Sequence, residues 1–522
     1  MILHIFRKDW KLLWKFFVIV SALQFIPVVL RVKLGLFGGN PILDYLLLPA
    51  VFVSMMGIAF LAVFIVHQDP IPGLCQDWLV RPLVRRDLLL AKLLFGLVLI
   101  QVAVFAGDCS QALVSGIPIG WSLVGALSHN VYLGVIITLP ALAIASATAN
   151  VMEAIVGASL AFFLGMGVEL TEIAIHGGRG FLLQSSGAGS DWIGTYLGQL
   201  AIVIGVFSVL FVQYYRRKTA AARWVSAATL LIFLLAQFLP WHFVFGLQQK
   251  FSSNSQEANA VVLTFSPGAG RLPQAAGPSG SQQAVGVRDQ SNPGLLLALP
   301  LHVSSLPGDS LLNVDKADIQ IVSQQGKVVY RTEGNDWQVH QQGTNGATDP
   351  IYQKLVVPES VYRQVISHDF RMVIDLSLTL SVLDADYSLP SIDGIGKDPG
   401  LGLCETRLND SGSSVELRCI QPGNGSTCRS AYLENGATGL RNSEIFSCIP
   451  NYAPQLERMS MDPMTHFGLN LPVRDPAGPA KNAIDGSELA NSKVVVQVYK
   501  PQAHFVRRVI ISPLDVSEWK VE

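Results

Sequence analysis

Six cysteines are the residues of this 522-residue chain whose spacing says most about chemistry. Four of them cluster late in the chain: Cys404, Cys419, Cys428 and Cys448. An even number of clustered cysteines indicates disulfides, and four cysteines allow three pairings. A zinc site is disfavoured because there is no Cys-x-x-Cys pair and no histidine nearby. We therefore expect two disulfides and no metal.

Strand register favours one of the three pairings. If Ser411-Gly412 forms the turn of a hairpin with strands over residues 403–408 and 415–420, Cys404 falls opposite Cys419. Cys428 is then left to pair with Cys448. A disulfide that closes a loop of this length stabilises the fold by about 3 kcal/mol in the chain-entropy model.

Other polar patterns point to no reaction. Glu169, Glu172 and His176 have helical spacing suited to a metal or substrate site, but a helix emerging into water explains them better. Gly326-Lys327 and Gly396-Lys397 lack the remaining residues of a phosphate-binding loop. Neither a nucleophile motif nor a dinucleotide-binding motif occurs. We expect no catalytic residues and no cofactor bound by this chain.

Composition places the chain in a membrane. Half of the residues are hydrophobic and only 14% are charged, against about 25% in ordinary soluble proteins. Residues 1–246 contain 15 of the 37 basic and 10 of the 38 acidic residues, so the second half is more charged and mildly acidic. The formal net charge of −1 and a tail without a basic patch argue against nucleic acid as a partner.

Apolar segments predict seven transmembrane helices, at about Phe16–Leu30, Tyr45–Val66, Leu88–Ala106, Trp121–Ala147, Ala154–Ile175, Thr195–Tyr215 and Trp224–Phe245. Basic residues are concentrated before the first span and in alternate loops, which predicts a cytoplasmic amino terminus. Seven crossings then place the tail outside the cytoplasm. Residues 1–15 carry an aromatic stripe and three lysines, which predicts an amphipathic helix at the membrane surface, although a basic flank to the first span fits nearly as well.

A short polar segment between the second and third spans organises this region. It contains the turn residues Asp69-Pro70 and Pro72-Gly73 and four basic residues, which place it in the cytoplasm: Arg81, Arg85, Arg86 and Lys92. A compact basic loop between two spans is suited to receive force from a soluble partner.

Residues 77–92 resemble the cytoplasmic loop of exporter-class permeases of ATP-binding-cassette transporters. That loop reads roughly Trp-Leu-x-x-Pro-x-x-Arg-x-Asp/Glu-Leu-x-x-Ala/Gly-Lys, and the matching residues are Trp78, Leu79, Pro82, Arg85, Asp87, Leu88, Ala91 and Lys92. The simpler interpretation is a loop whose arginines only fix orientation. The resemblance covers residues 1–215 and six of the seven spans.

The resemblance implies a transport function. A separate cytoplasmic nucleotide-binding subunit would bind and hydrolyse ATP and dock on residues 77–92, called the coupling loop below, with contacts at Trp78, Arg81, Pro82, Arg85 and Arg86. Permeases of this class work in pairs, so the chain is expected to associate with itself or a related permease. Gly157, Ala161 and Gly165 recur at every fourth residue, a spacing that lets helices pack closely within one chain or across a dimer.

The tail, residues 247–522, is predicted to be mostly a β domain. Residues 247–294 are predicted to be a linker, interrupted by one strand at 260–265. In residues 295–522, the segment Phe370–Val382 alternates apolar and polar residues, as in a half-buried antiparallel strand. Further strands are predicted at 317–322, 327–331, 493–499 and 505–511, and one short helix at 358–368. The fold class is therefore a polytopic helical membrane domain followed by a sandwich-like β domain.

The leading hypothesis is the permease subunit of an exporter in the cell membrane, with a cytoplasmic amino terminus and an extracytoplasmic tail, which is periplasmic in a Gram-negative cell. The alternative is a membrane-anchored sensory or binding protein whose β tail captures an extracytoplasmic ligand or partner. A cytoplasmic ATPase that binds the chain would distinguish them.

Overall fold

The computed structural model describes residues 2–34, 41–68, 85–175, 191–237, 239, 241–250, 255–265, 294–334, 341–342, 351–366, 370–398, 400–422, 428–442, 444–448, 464–473 and 484–514. An amino-terminal helical region is followed by a mostly antiparallel β domain, as the sequence predicts.

The helices of the first region are α1 (Ile2–Leu34), α2 (Pro41–His67), α3 (Arg85–Leu94), α4 (Gln101–Val114), α5 (Ile119–Leu133), α6 (Leu139–Ala147), α7 (Val151–Ile175), α8 (Asp191–Phe211), α9 (Thr219–Gln237) and α10 (Trp241–Gln249). Within the described residues, six helices are long and apolar enough to cross a membrane: Ile2–Leu34, Tyr45–His67, Arg86–Val114, Ile119–Ala147, Tyr196–Arg216 and Thr219–Ala236. The predicted span 154–175 lies on α7, whose searched apolar segment is Val151–Ala161. The seven-helix count therefore stays a prediction.

Two helix boundaries differ from the prediction. The first helix shows no break near residue 15: α1 continues from Ile2 to Leu34, because no glycine or proline interrupts residues 2–26. The predicted span 224–245 is divided between α9 and α10. Pro240 lacks the backbone N–H that a continuing helix needs and disfavours helical geometry in the residue before it, so α9 ends at Gln237.

Wide π-helical turns join several helices into longer rods. Phe95–Ile100 joins α3 to α4, and Gly134–Thr138 joins α5 to α6. The second turn directly precedes Pro140, whose missing N–H removes one helical hydrogen bond and favours a local change of pitch. The sequence predicts a kink at Pro140, and the structure has a π-helical turn next to it.

The β domain contains two short helices, α11 (Ser255–Ala260) and α12 (Glu359–Ile366). Its strands are β1 (Val262–Phe265), β2 (Gly294–Ser304), β3 (Ser310–Ser323), β4 (Val328–Gly334), β5 (Gln341–Gln342), β6 (Ile351–Pro358), β7 (Phe370–Pro390), β8 (Ile395–Asp398), β9 (Gly402–Leu408), β10 (Ser414–Pro422), β11 (Cys428–Asn435), β12 (Ile445–Cys448), β13 (Met464–Pro472) and β14 (Ser492–Ile511). The strands predicted at 493–499 and 505–511 form one strand, β14, with a bulge after Pro501.

In the described part of the β domain, three antiparallel sheets enclose two main hydrophobic cores. A seven-stranded sheet follows the order β12-β11-β14-β7-β3-β4, with β5 paired to β3; a three-stranded sheet is ordered β1-β2-β6 and a four-stranded sheet β13-β10-β9-β8. The first core joins the seven-stranded and three-stranded sheets, and the second joins the seven-stranded and four-stranded sheets. β7 and β14 pair along most of their length and contribute to both cores.

The predicted linker begins to fold earlier than the sequence suggests. Three residues of this segment are buried in the first core: Ala258 of α11, Val261 just before β1, and Leu263 of β1. Arg507 holds α11 in place by donating to the carbonyls of Ala258 and Val261. The β domain therefore includes residues that lie well before 295.

Among the described residues, the β domain touches the helical region at two prominent places. Ile420 and Met464 of the four-stranded sheet pack against Ala112 and Ile117 at the α4–α5 turn. Separately, α10 contacts β14. These two contacts are called the turn contact and the α10 contact below.

Candidate functional site

Of the predicted coupling loop, residues 77–92, the structure describes residues 85–92. Trp78, Arg81 and Pro82 lie outside the described residues. Arg85 begins α3, and the neighbouring Arg86 has an exposed side chain. The first turn of α3 also contains Asp87, whose negative charge suits the positive end of the helix dipole.

A buried ion pair fixes the end of the loop that leads into α3. Lys92 Nζ lies 2.8 Å from Asp9 Oδ2 of α1, and the two side chains are 2% and 0% exposed. A buried ion pair tolerates little change in geometry, because each charge depends on the other for compensation. The pair therefore ties α3 to the amino-terminal helix.

Polar contacts also hold the end of α2, the helix that precedes the coupling loop. His67 Nε2, at the end of α2, lies 3.3 Å from Thr148 Oγ1 after α6. Next to Thr148, the Asn150 side chain accepts the backbone N–H of Glu153, and the Glu153 carboxylate accepts that of Ala149, which is a capping arrangement at the start of α7.

Arg223 extends this polar group to α9. Its Nε donates to the carbonyl of Ala147 at 3.1 Å, and its Nη2 is paired with Glu153. The ends of α2, α6, α7 and α9 are thus held together, so the helices on both sides of the 69–84 segment are anchored.

A second polar group lies inside the helical region. His129 Nδ1 of α5 is 2.8 Å from Asp108 Oδ2 of α4, and both side chains are more than 90% buried. Asn130 Nδ2 lies 3.4 Å from the same carboxylate oxygen. Ionisable side chains at membrane depth are costly, so they are retained where they pair or function.

The α10 contact contains a hydrogen-bond chain. Gln248 Nε2 lies 3.1 Å from His504 Nε2, and His504 Nδ1 lies 2.8 Å from Thr379 Oγ1. The Thr379 hydroxyl donates to Asp315 Oδ2, and Asn313 Nδ2 donates to Asp315 Oδ1 at 2.9 Å. With the Gln248 amide donating to Nε2, the imidazole is neutral with its proton on Nδ1, so that Gln248 donates to His504, His504 to Thr379 and Thr379 to Asp315.

Strand irregularities position this chain. Asp315 is the extra residue of a bulge in β3, between Val314 and Lys316. A second bulge in β14 separates Pro501 from Ala503, directly before His504. Bulges re-aim side chains and are common beside functional sites.

Burial sets the charge states of Asp315 and His504 in this hydrogen-bond chain. Desolvation raises the pKa of Asp315 to about 7, although the hydrogen bonds from Thr379 and Asn313 oppose the shift. Desolvation lowers the pKa of His504 to about 4, which keeps the imidazole neutral at neutral pH.

The cysteines follow the predicted register. Cys404 and Cys419 are directly paired in β9 and β10 and form a disulfide with a Cα–Cα separation of 4.0 Å. Cys428 is also disulfide-bonded, and the register of β11 and β12 places Cys448 opposite it. Of the described residues, Cys109 is a free thiol.

The predicted packing residues lie on α7. A Cβ on Gly157 would lie 3.7 Å from the Ile144 side chain of α6, an ordinary contact. Ala161 is partly exposed, and the side-chain surroundings of Gly165 lie outside the described residues. A closer approach is found elsewhere: a Cβ on Gly205 of α8 would lie 2.0 Å from Thr229 Oγ1 of α9.

Comparison with known proteins assigns no family. No protein-family model matches the chain, and no curated protein matches it. Among solved structures, a chain titled pT26-6p is 8% identical over 40% of this chain and 60% of its own length, with a TM-score of 0.12. At that score the likeness supports no argument about fold or function.

Sequence reasoning did not identify Asp9, Asp315, Thr379 or His504. Asp9 pairs with a lysine 83 positions away, which local spacing does not reveal. Its one available signal is that it is a lone acid among the lysines of α1. Asp315 and His504 depend on bulges that no periodicity predicts.

Proposed function

We propose that this chain is the membrane permease subunit of an ATP-binding-cassette exporter. A separate cytoplasmic ATPase would dock on the 77–92 loop and supply the energy of ATP hydrolysis, while this chain itself catalyses no reaction. The observation that carries the proposal is that the helices on both sides of the 69–84 segment are anchored, α3 through Lys92–Asp9 and α2 through His67–Thr148. A push on the start of α3 would then bear on α1, to which α3 is tied.

The orientation in this proposal follows the positive-inside rule. The amino terminus and the loop face the cytoplasm, and the β domain lies on the far side of a cell membrane after seven crossings. The turn contact supports this arrangement, because it lies about 45 Å from the loop along the 85–114 helix. The partners are the ATPase, the bilayer and a second permease chain.

Co-purification tests the proposal. Full-length chain, extracted in mild detergent from its own cells, is expected to retain a subunit that has a Walker motif and hydrolyses ATP. Trp78→Ala and Arg86→Ala should reduce its recovery. Arg216→Ala is the matched control, because Arg216 is an equally exposed arginine predicted on the same membrane side but outside the loop.

Two results would count against the proposal. No Walker-motif ATPase is recovered with the unaltered chain, or the loop variants recover as much of it as Arg216→Ala does. The second candidate, a membrane-anchored sensory or binding protein, is favoured by the hydrogen-bond chain from Asp315 to Gln248, which links the β domain to α10. That candidate predicts no associated ATPase.

A further inference from the structure

The α8–α9 turn, residues 216–218, carries three consecutive basic side chains: Arg216, Arg217 and Lys218. Arg216 ends the π-helical turn that extends α8, and α9 begins at Thr219. Arg217 adopts the left-handed backbone conformation, with φ 51° and ψ 37°. All three side chains are exposed, so the turn presents three positive charges at the surface of the protein.

The described part of the chain supplies no counterion for these charges. None of the three side chains forms an ion pair with a described residue. Glu153 of α7 is already paired with Arg223. Asp191 is the only acidic residue of 191–237 and lies at the other end of α8, about 35 Å away. The turn is therefore suited to an anionic partner.

The position of the turn follows from the two helices that it joins. Both Tyr196–Arg216 and Thr219–Ala236 are long and apolar enough to cross a membrane, so the turn between them lies at a membrane surface. Of the six such helices in the described residues, Thr219–Ala236 is the least buried. The turn therefore lies at the edge of the helical region, where lipid surrounds it.

Exposed aromatic side chains lie on the membrane side of the turn. Phe211 and Tyr215, at the end of α8, are 50% and 43% exposed, and their stacked rings have centroids 4.9 Å apart. Trp224, about 7–8 Å along α9 from its first residue, is 78% exposed. Tyrosine and tryptophan are enriched at the headgroup level of membranes. An acidic protein surface would meet the basic side chains but not these rings, which favours lipid as the partner.

We propose that the α8–α9 turn binds the headgroup of an anionic phospholipid, with its three basic side chains against the lipid phosphate and with Tyr215 and Trp224 against the glycerol and the upper acyl chains. This site depends neither on transport nor on an associated ATPase. It gives the α8–α9 pair a preferred lipid in the leaflet that the turn faces.

Local quenching by brominated lipids tests this site. The full-length chain carries Cys75→Ser and Cys109→Ser, so that one added thiol at Ala228→Cys takes a fluorophore. Ala228 is exposed, about 13–14 Å along α9 from the turn, and so lies among the acyl chains of the leaflet that the turn faces. The protein is reconstituted into phosphatidylcholine vesicles that contain the same small fraction of brominated phosphatidylglycerol or brominated phosphatidylethanolamine.

We expect phosphatidylglycerol to associate with this position at least about fivefold more strongly than phosphatidylethanolamine, the effect of a single basic residue at an anionic surface. Leu235→Cys is the matched control. Leu235 is 57% exposed, lies on nearly the same face of α9, and is about 24 Å from the turn, past the middle of the bilayer. Both lipids should quench its fluorophore equally. An equal response to the two lipids at Ala228→Cys as well overturns the proposal, and this comparison needs no change in the turn.

Charge removal tests which residues make the site. Arg216→Gln, Arg217→Asn and Lys218→Gln together should abolish the preference, with asparagine at 217 because it tolerates the left-handed conformation. Replacing three exposed basic residues of the β domain with glutamine removes the same charge and should leave the preference intact: Arg363, Lys493 and Lys500.

Two results of this comparison would overturn the proposal. One is a preference for phosphatidylglycerol that survives removal of all three basic residues of the turn. The other is an absent preference together with loss of a co-purified ATPase from the variant of the turn, which would assign the turn to that subunit.

Discussion

At the scale of single residues, Asp315 and His504 make opposite contributions to stability as pH changes. The pKa of Asp315 is higher in the folded protein than its ordinary 3.8. Its contribution to folding stability is therefore full below pH 3.8 and is lost as the pH rises to about 7. The pKa of His504 is lower in the folded protein than its ordinary 6.5. Its contribution to folding stability is therefore present above pH 6.5 and is lost as the pH falls to about 4. The two slopes oppose each other between about pH 4 and 6.5.

Substitution of either residue should therefore expose the slope of the other. With Asp315→Asn, the melting temperature should rise with pH across this window, and with His504→Gln it should fall. Each slope corresponds to a change on the order of 3–4 kcal/mol, at 1.36 kcal/mol per pKa unit. Thermal unfolding in detergent at several pH values measures both, with the exposed Asp410→Asn as control. Parent-like profiles in both variants would show that these groups do not titrate as described.

The Lys92–Asp9 pair gives a second residue-scale prediction. Asp9→Ala should lower the free energy of unfolding by about 3–5 kcal/mol, because it leaves an uncompensated buried charge. The double variant Asp9→Leu with Lys92→Met should recover much of that loss, since neither charge remains. Arg363→Ala, in an exposed pair with Glu359, should cost less than about 1 kcal/mol. A double variant as unstable as Asp9→Ala would contradict the account.

At the scale of elements, Gly205 sets the approach of α8 to α9. A methyl group at this position meets the Thr229 side chain, so Gly205→Ala should force the two helices apart. We expect a lower melting temperature, with partial rescue by Thr229→Ala. In α10, a Cβ on Gly246 has open space within 4 Å, so Gly246→Ala should be neutral or stabilise by up to about 1 kcal/mol. If both glycine variants behave alike, close packing is not the reason for Gly205.

Local sequence patterns predicted the helices and strands better than they predicted the contacts between them. The alternation over Phe370–Val382 identified β7, since a half-buried strand must alternate, and the Cys404–Cys419 register followed from the length of its turn. The break before α10 was missed, because the sequence analysis predicted one span over 224–245, although Pro240 was a local signal for the break. The partners of Asp9, Thr379 and His504 were not predictable, because they lie on elements distant in sequence and two of the three depend on bulges.

At the scale of the whole molecule, the two β cores should unfold together. β7 and β14 run through both cores without a break in the chain, so neither core can lose its strands alone. We expect Leu471→Ala, which alters the second core, to weaken protection of β2 amides in the first. Hydrogen exchange followed by mass spectrometry measures this effect, and unchanged protection of β2 would show two independent units. The exposed Leu440→Ala is the control.

The two places where the β domain meets the helices also have a mechanical consequence. A rigid β domain that rests on both the turn contact and the α10 contact would have to tilt if α10 shifted relative to the α4–α5 turn. A small axial shift of α10 relative to the α4–α5 turn would then swing the distal end of the domain through a larger arc. The paired strands β7 and β14, about 65–70 Å long, would carry this tilt to the distal end of the domain.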